Sequence, residues 1–117
     1  MKLLKAYIRT AKVDEVIRAL QAEGAPGITV SRVHGIGYGY DAMSFTLAPS
    51  EFKRAPEVTK VEVVCADGDA DKLLEALSFG ARTGSQGDGI VFVTEVVRAV
   101  RIRTGEEGDG ALGHSNS

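Results

Sequence analysis

Two glycine-rich segments and a pair of arginines are the residues of this sequence with the clearest chemical potential. Three glycines at a spacing of two occupy residues 35–39, and a second glycine-rich segment occupies residues 83–89. Glycine lets the backbone approach an anion closely and turn its N–H groups toward it. Arg101 and Arg103 lie two residues apart, so on a strand both would reach the same side and could hold phosphate oxygens. Together these features predict a polyphosphate ligand.

Simpler explanations of the same residues stay open at this point. Neither glycine segment is a Walker A loop, because no Gly-Lys-Ser or Gly-Lys-Thr sequence is present. On composition alone, ordinary turns are the simpler explanation of the glycines, and a solvated or ion-paired strand face explains the arginines. The motifs assemble no nucleophile–base pair and no carboxylate dyad, so we expect a protein that is not an enzyme. His34, His114 and Cys65 lack the spacing of metal ligands, so no metal site is expected.

Length and charge narrow the class of protein further. The chain has 117 residues and a mass of 12.4 kDa, which is room for one domain with one core. A net charge of −2 argues against a dedicated nucleic-acid binder. The sequence has no run of about 18 apolar residues that would predict a transmembrane helix. Its N-terminal region has no long apolar stretch typical of a signal peptide, so we expect the cytoplasm.

The spacing of the apolar residues predicts the element order βαββαβ. Residues with strand character occupy 3–9, 28–33, 60–66 and 90–97. Helical spacing begins at Val13 and stops at Gly24, and a second apolar helix stripe covers residues 70–81. This order is typical of the ferredoxin-like α+β fold, in which both helices cover one face of the sheet. Residues 98–103 are predicted to continue in extended form, and residues 107–117 are predicted to form a flexible tail.

A long loop and an uncovered sheet face complete the organisation. Residues 35–56 have no sustained period, and connections of this length in compact domains are usually functional or disordered. The sheet face away from the helices would leave Tyr7, Val64 and similar side chains in water. A protein this small gains by burying that face against copies of itself, so we expect a closed homo-oligomer.

The segments TGSQGDGIVFV and VVRAVRIRTGE, within residues 83–106, closely resemble the C-terminal signature of the PII signal-transduction family. The segment GAPGITVSRVHGIG (24–37) and the position of the long loop match as well, and the resemblance covers residues 1–106. It implies a ferredoxin-like homotrimer that binds adenine nucleotides in clefts between protomers. It also implies a T-loop at about 37–56 that contacts regulated proteins, and a B-loop at about 82–89.

The resemblance, carried over position by position, implies a nucleotide site. It places adenine-side contacts at Tyr7, Gly27, Thr29 and Val64. It places phosphate-side contacts at Gly35, Gly37, Thr83, Gly87, Asp88, Gly89, Arg101 and Arg103. For Tyr7 and Val64, simple packing in the core of a trimer is an equally good explanation.

Several positions depart from the family pattern and affect the expected ligand. Gly39 replaces a glutamine that helps hold Mg-ATP and 2-oxoglutarate, and Ile90 replaces a B-loop lysine. Val58 replaces a lysine that pairs with a 2-oxoglutarate carboxylate, although Lys60 lies nearby. Each lost cation removes a charge-assisted contact of about 1.5–3 kcal/mol, so AMP or ADP is favoured over ATP. A small anion such as bicarbonate is a further expected ligand, by analogy with PII-like branches associated with carbon uptake.

The T-loop also departs from the pattern. Glu51 replaces the tyrosine that is uridylylated in proteobacterial members, and Leu47 replaces the arginine presented to ammonium channels. Phe45, Leu47 and Phe52 make this loop unusually apolar, either to fold back onto the trimer or to anchor a partner.

We therefore expect a trimeric sensor without an obligatory cofactor, in which AMP or ADP sets the conformation of the T-loop. Through that loop it would regulate a partner protein or a membrane transporter. The alternative is a trimeric interaction module beside a transporter that binds no nucleotide.

Overall fold

The computed structural model describes residues 1–38 and 49–113 and confirms the ferredoxin-like α+β fold. The strands are β1 (Lys2–Arg9), β2 (Thr29–His34), β3 (Glu57–Cys65) and β4 (Gly89–Glu95). The helices are α1 (Val13–Ala22) and α2 (Ala70–Ala81). Short 3-10 helices occupy Thr10–Lys12, Pro49–Arg54, Asp67–Asp69 and Gly108–Ala111. No helix in the described part of the chain is both long and apolar enough for a membrane span.

The described strands form one antiparallel sheet in the order β2-β3-β1-β4. In this register Leu3 faces Val64 of β3, and Ile8 faces Gly89 of β4. Strand β1 lies between β3 and β4, and we name the two ends of the sheet after the residues at the two ends of this strand. We call them the Leu3 end and the Arg9 end. The start of β2 and the end of β4 lie at the Leu3 end, whereas the loops after β2 and before β4 lie at the Arg9 end.

The core lies between the helices and one face of the sheet. Alternation along β1 directs Leu4, Ala6 and Ile8 into it, each almost fully buried. Residues of β3 and the apolar stripes of the two helices complete the cluster. A side chain at Gly80 of α2 would begin 3.3 Å from the Cα of Val16 in α1, so the glycine lets the two helices pack closely.

The opposite face of the sheet carries a mixture of polar and aromatic residues. Directly paired strand residues share a face, so Tyr7, Lys60 and Ile90 lie together on this open face. The Tyr7 and Phe92 rings meet edge to face with their centroids 6.4 Å apart. This face is half-buried rather than covered within a single chain, as the sequence predicts.

Two predictions about the C-terminal region need revision. Strand β4 ends at Glu95, so the prediction that residues 98–103 continue in extended form is wrong beyond Val100. Residues 102–104 form a turn, and Val100 bridges back to Glu107. The predicted flexible tail carries defined structure as far as Gly113, including the 3-10 helix at Gly108–Ala111.

Candidate functional site

An open cavity of about 870 Å³ lies on the open face at the Leu3 end of the sheet. We call it the arginine-side cavity. It brings together five of the residues that the sequence analysis assigned to a nucleotide: Gly27, Thr29, Val64, Arg101 and Arg103. Its volume lies in the range of small-molecule sites, which is about 300–1,000 Å³.

The two arginines reach this cavity from a tight chain reversal rather than from a strand. The Arg101 N–H donates to the Glu106 carbonyl at 2.8 Å, and the Gly105 N–H donates back to the Arg101 carbonyl at 2.8 Å. Arg98 anchors the same reversal, because its Nε and Nη2 both donate to Glu107 Oε1, at 3.0 and 2.7 Å. The strand alternation proposed for the pair is therefore wrong, although both arginines still line the same cavity.

The lining of the arginine-side cavity combines apolar and charged residues. Leu3 and Val64 contribute apolar surface, and the arginines contribute two guanidinium groups. Glu62 also lines it and lies 3.6 Å from the Lys60 ammonium, so its charge is partly balanced. This arrangement fits a ligand that combines an apolar part with an anionic part.

The glycine-rich loop before β4 is held by the carboxylate of Asp88. The backbone N–H groups of Thr83 and Gly84 donate to Asp88 Oδ2 at 2.8 and 2.9 Å, and the Thr83 hydroxyl donates to Oδ1. From β1, Arg9 Nε donates to Oδ1 at 3.1 Å and its Nη2 donates to the Gln86 carbonyl. The sequence analysis assigned Asp88 and missed Arg9. An acidic residue inside a glycine loop was the available signal for Asp88, whereas Arg9 lies 79 positions away and no local pattern connects the two.

These contacts lower the pKa of Asp88 well below its usual range. The Thr83 hydroxyl and the Thr83 N–H are the largest causes, and the Gly84 N–H and Arg9 act in the same direction. Asp88 is therefore ionised and directed into its own loop. Two backbone donors that could have formed an anion-binding nest already bind this carboxylate, so donors further along the loop are the ones left to face a ligand.

Gly89 has a packing reason to be glycine. Its φ is +107°, and a Cβ at this position would lie 1.8 Å from the carbonyl oxygen of Tyr7. The pairing of β4 with β1 thus requires a glycine here regardless of any ligand. Gly87 also has a positive φ, of 96°, and lies two residues earlier in the same loop.

The base of the long loop is closed by one hydrogen bond between backbone groups and by contacts of the His34 ring. The Gly35 N–H donates to the Pro56 carbonyl at 2.8 Å, and His34 Nδ1 lies 3.0 Å from the Ala55 carbonyl oxygen. The ring of Phe52 packs edge to face on His34 at 6.0 Å and remains about half exposed. The predicted partner contacts Phe45 and Leu47, and also Gly39, lie outside the described residues.

Tyr7 lies in a second pocket at the Arg9 end of the open face. This pocket of about 360 Å³ is lined by Gly35, Ile36, Tyr38 and Phe92 as well as Tyr7. The Tyr38 and Phe92 rings pack edge to face at 5.9 Å. The structure therefore separates Tyr7 from the other predicted adenine-side residues, which line the arginine-side cavity.

The predicted nucleotide contacts thus form two half-sites at opposite ends of the sheet. The arginine half lies at the Leu3 end, and the glycine half, with Gly35, Gly37 and residues 83–89, lies at the Arg9 end. Six residues of β1 separate the two ends, which corresponds to about 20 Å along an extended strand.

Among the residues that the structure describes, the remaining chemically active side chains form no metal cluster. In residues 1–38 and 49–113 no three His, Cys, Asp or Glu side chains group closely enough to hold a metal ion. Cys65 is fully buried in the core, and burial raises the pKa of its thiol. A buried neutral thiol of this kind behaves as a small apolar residue.

Comparison with known proteins gives one family. The family model described as Nitrogen regulatory protein P-II matches residues 1–106. Nitrogen regulatory protein P-II of Rhizobium meliloti (strain 1021) is 43% identical over 114 residues, which cover 96% of this chain and 100% of that protein. Nitrogen regulatory protein GlnK of Escherichia coli (strain K12) is 39% identical with the same coverage. Nitrogen regulatory protein P-II 1 of Methanothermobacter thermautotrophicus is 39% identical over 118 residues, covering 96% and 97% of the two chains.

Proposed function

Because the chain belongs to the P-II family of nitrogen regulatory proteins, we propose that it is a regulatory trimer that senses an adenine nucleotide. Its relatives are regulatory proteins and not enzymes, which agrees with the absence of catalytic motifs in the sequence. In the proposal, the nucleotide occupies the clefts between protomers and changes the conformation of the T-loop, which then acts on a partner. A ligand shifts such a loop only through its different affinities for the two loop states.

The separation of the two half-sites is the observation that carries this proposal. The arginine half and the glycine half line separate cavities toward opposite ends of one sheet, so within one chain neither cavity contains all of the predicted contacts. A second copy can bring its glycine half against the arginine half of the first, and the half-buried open face gives the copies a surface to share. A closed ring of three copies would repeat this junction three times.

The residues that follow the T-loop and the B-loop favour a short phosphate chain. Val58 is 5% exposed and Ile90 is half-buried on the open face, so neither supplies a cation to a third phosphate or to a dicarboxylate. Arg101 and Arg103 supply charge for one or two phosphates. The proposed ligand is therefore AMP or ADP rather than ATP, with a small anion such as bicarbonate as a second ligand.

Isothermal titration calorimetry with AMP, ADP and ATP tests the proposal, together with sedimentation to measure the oligomeric state. Replacing both Arg101 and Arg103 with alanine should lower the affinity for ADP at least tenfold, because each charge-assisted contact contributes about 1.5–3 kcal/mol. Arg18→Ala combined with Arg32→Ala is the matched control, since it removes the same charge outside the arginine-side cavity. Absence of heat from every nucleotide at about 1 mM, a binding free energy of about −4 kcal/mol, would refute the sensor.

The glycine loop gives a specific reason to consider a second candidate function, an interaction module without a nucleotide. Gly89 is explained by strand packing, and the carboxylate of Asp88 already uses two of the loop's N–H donors. In this case the double arginine variant would bind a captured partner as tightly as the unchanged protein does. A partner whose binding depends on ADP would exclude this candidate.

A further inference from the structure

The last described segment of the chain, residues 107–113, packs back onto the arginine-side cavity. The bridge between Val100 and Glu107 starts it, and the Gly108 N–H donates to the Ala99 carbonyl at 3.1 Å. The segment then forms the 3-10 helix that ends at Ala111, whose side chain is 6% exposed. This segment follows the residues matched by the family model, which end at 106.

The contact places two apolar side chains of the segment in the cavity wall. Ala111 and Leu112 line it together with Leu3, Val64 and the two arginines. Ala111 is buried by the protein itself, whereas Leu112 is half-buried and keeps apolar surface that faces the open cavity. Covering such surface with an apolar group of a ligand lowers the free energy of the complex, because apolar area is removed from water.

We propose that Leu112, held in place by the buried Ala111 beside it, is a specificity-determining residue that receives the ring part of a nucleotide in the arginine-side cavity. The phosphates then face Arg101 and Arg103, and the two ends of the ligand are read by different parts of the C-terminal region. The inference rests on the proposed function above and adds to it a binding wall built by residues 107–113. The size of the side chain at position 112 sets how well this wall fits a planar base.

The test compares a ligand that has a base with one that has none. AMP and inorganic pyrophosphate are titrated into the unchanged protein, Leu112→Ala, Leu112→Met and the matched control Leu74→Ala. Leu74 undergoes the same chemical change in α2, where it packs against the core on the other side of the sheet. Leu112→Ala should lower the affinity for AMP about threefold to tenfold through lost apolar contact and leave the affinity for pyrophosphate unchanged. Leu112→Met, which conserves volume, should stay close to the unchanged protein, as should Leu74→Ala.

Each outcome decides the inference. Equal AMP affinity for the unchanged protein and Leu112→Ala overturns it, and so does an equal loss for pyrophosphate, since the segment would then only support the arginines. If the unchanged protein binds AMP but Leu112→Ala does not fold, hydrogen exchange of the unchanged protein decides. AMP should then slow exchange in residues 107–113 more than pyrophosphate does, and equal protection by both overturns the proposal. Absence of binding by AMP, ADP and ATP to the unchanged protein overturns the proposed function and this inference together.

Discussion

Replacing Gly89 with alanine should destabilise the fold severely, because two separate costs meet at this residue. Its φ of +107° is outside the range that alanine adopts comfortably, and such backbone strain costs about 1–3 kcal/mol. The new Cβ would lie 1.8 Å from the Tyr7 carbonyl oxygen, so β4 must move away from β1, and overpacking of this kind costs about another 1–3 kcal/mol. The expected total of about 2–6 kcal/mol lowers Tm by roughly 8–24 °C at about 4 °C per kcal/mol.

Two other glycines provide controls that separate these costs. Gly84 has a φ of +87° and open space around its Cβ position, so Gly84→Ala carries the backbone strain without the collision. Gly68 has open space and an ordinary φ, so Gly68→Ala should be neutral or stabilising by about 0.4–1 kcal/mol. Thermal unfolding followed by circular dichroism, with every variant at the same protein concentration, should give increasing losses of Tm from Gly68→Ala through Gly84→Ala to Gly89→Ala.

Strand packing does not explain Gly89 if Gly89→Ala loses no more stability than Gly84→Ala. In that case β1 and β4 would tolerate a side chain between them, and the glycine would need another explanation. A phosphate ligand that requires close approach to the backbone would be the next one to examine.

Three further predictions follow from the core, the glycine loop and the strand beside it. Asp88→Asn should lower stability at neutral pH and flatten its acid dependence in urea titrations. The folded pKa of Asp88 lies below its unfolded value of about 3.9, so its contribution is present above that pH and is lost as pH falls from about 5 to 2. Leu20→Ala should cost about 2–5 kcal/mol in urea unfolding, since Leu20 is fully buried, whereas Phe79→Ala, at an 83% exposed site, should change stability by less than about 0.5 kcal/mol. In calorimetry, Ile90→Lys should raise the affinity for ATP about tenfold to a hundredfold and the affinity for AMP much less. Equal gains for the two ligands would indicate a nonspecific effect of charge.

The order and approximate bounds of the secondary structure were readable from the sequence. Apolar alternation in β1 and helical spacing from Val13 are local patterns that depend on side-chain direction along the chain. Errors appeared where long-range pairing sets the bounds. Strand β3 begins at Glu57 rather than at 60, because β2 and β1 provide partners for its first residues.

The candidate site was only partly predictable. The sequence identified Arg101 and Arg103 as partners with a common target, and both line one cavity, but they reach it from a turn. It did not find Leu112, because nothing local indicates that a polar, glycine-rich C-terminal segment folds back to form a wall. The segment is held by the hydrogen bond of Gly108 to Ala99 and by the bridge of Glu107 to Val100, and the local sequence does not indicate either contact.

By itself the sequence determined the family, the ferredoxin-like fold and the residue types that could hold a phosphate. Periodicity and motif spacing carry that information, since both describe neighbours along the chain. The tertiary structure alone decided how those residues are used. Arg9 contacts Asp88 across 79 positions of sequence, and Gly89 meets the Tyr7 carbonyl only because β4 pairs with β1. It also placed the two half-sites at opposite ends of one sheet, since the order of the strands, rather than the order of the motifs, fixes which ends meet.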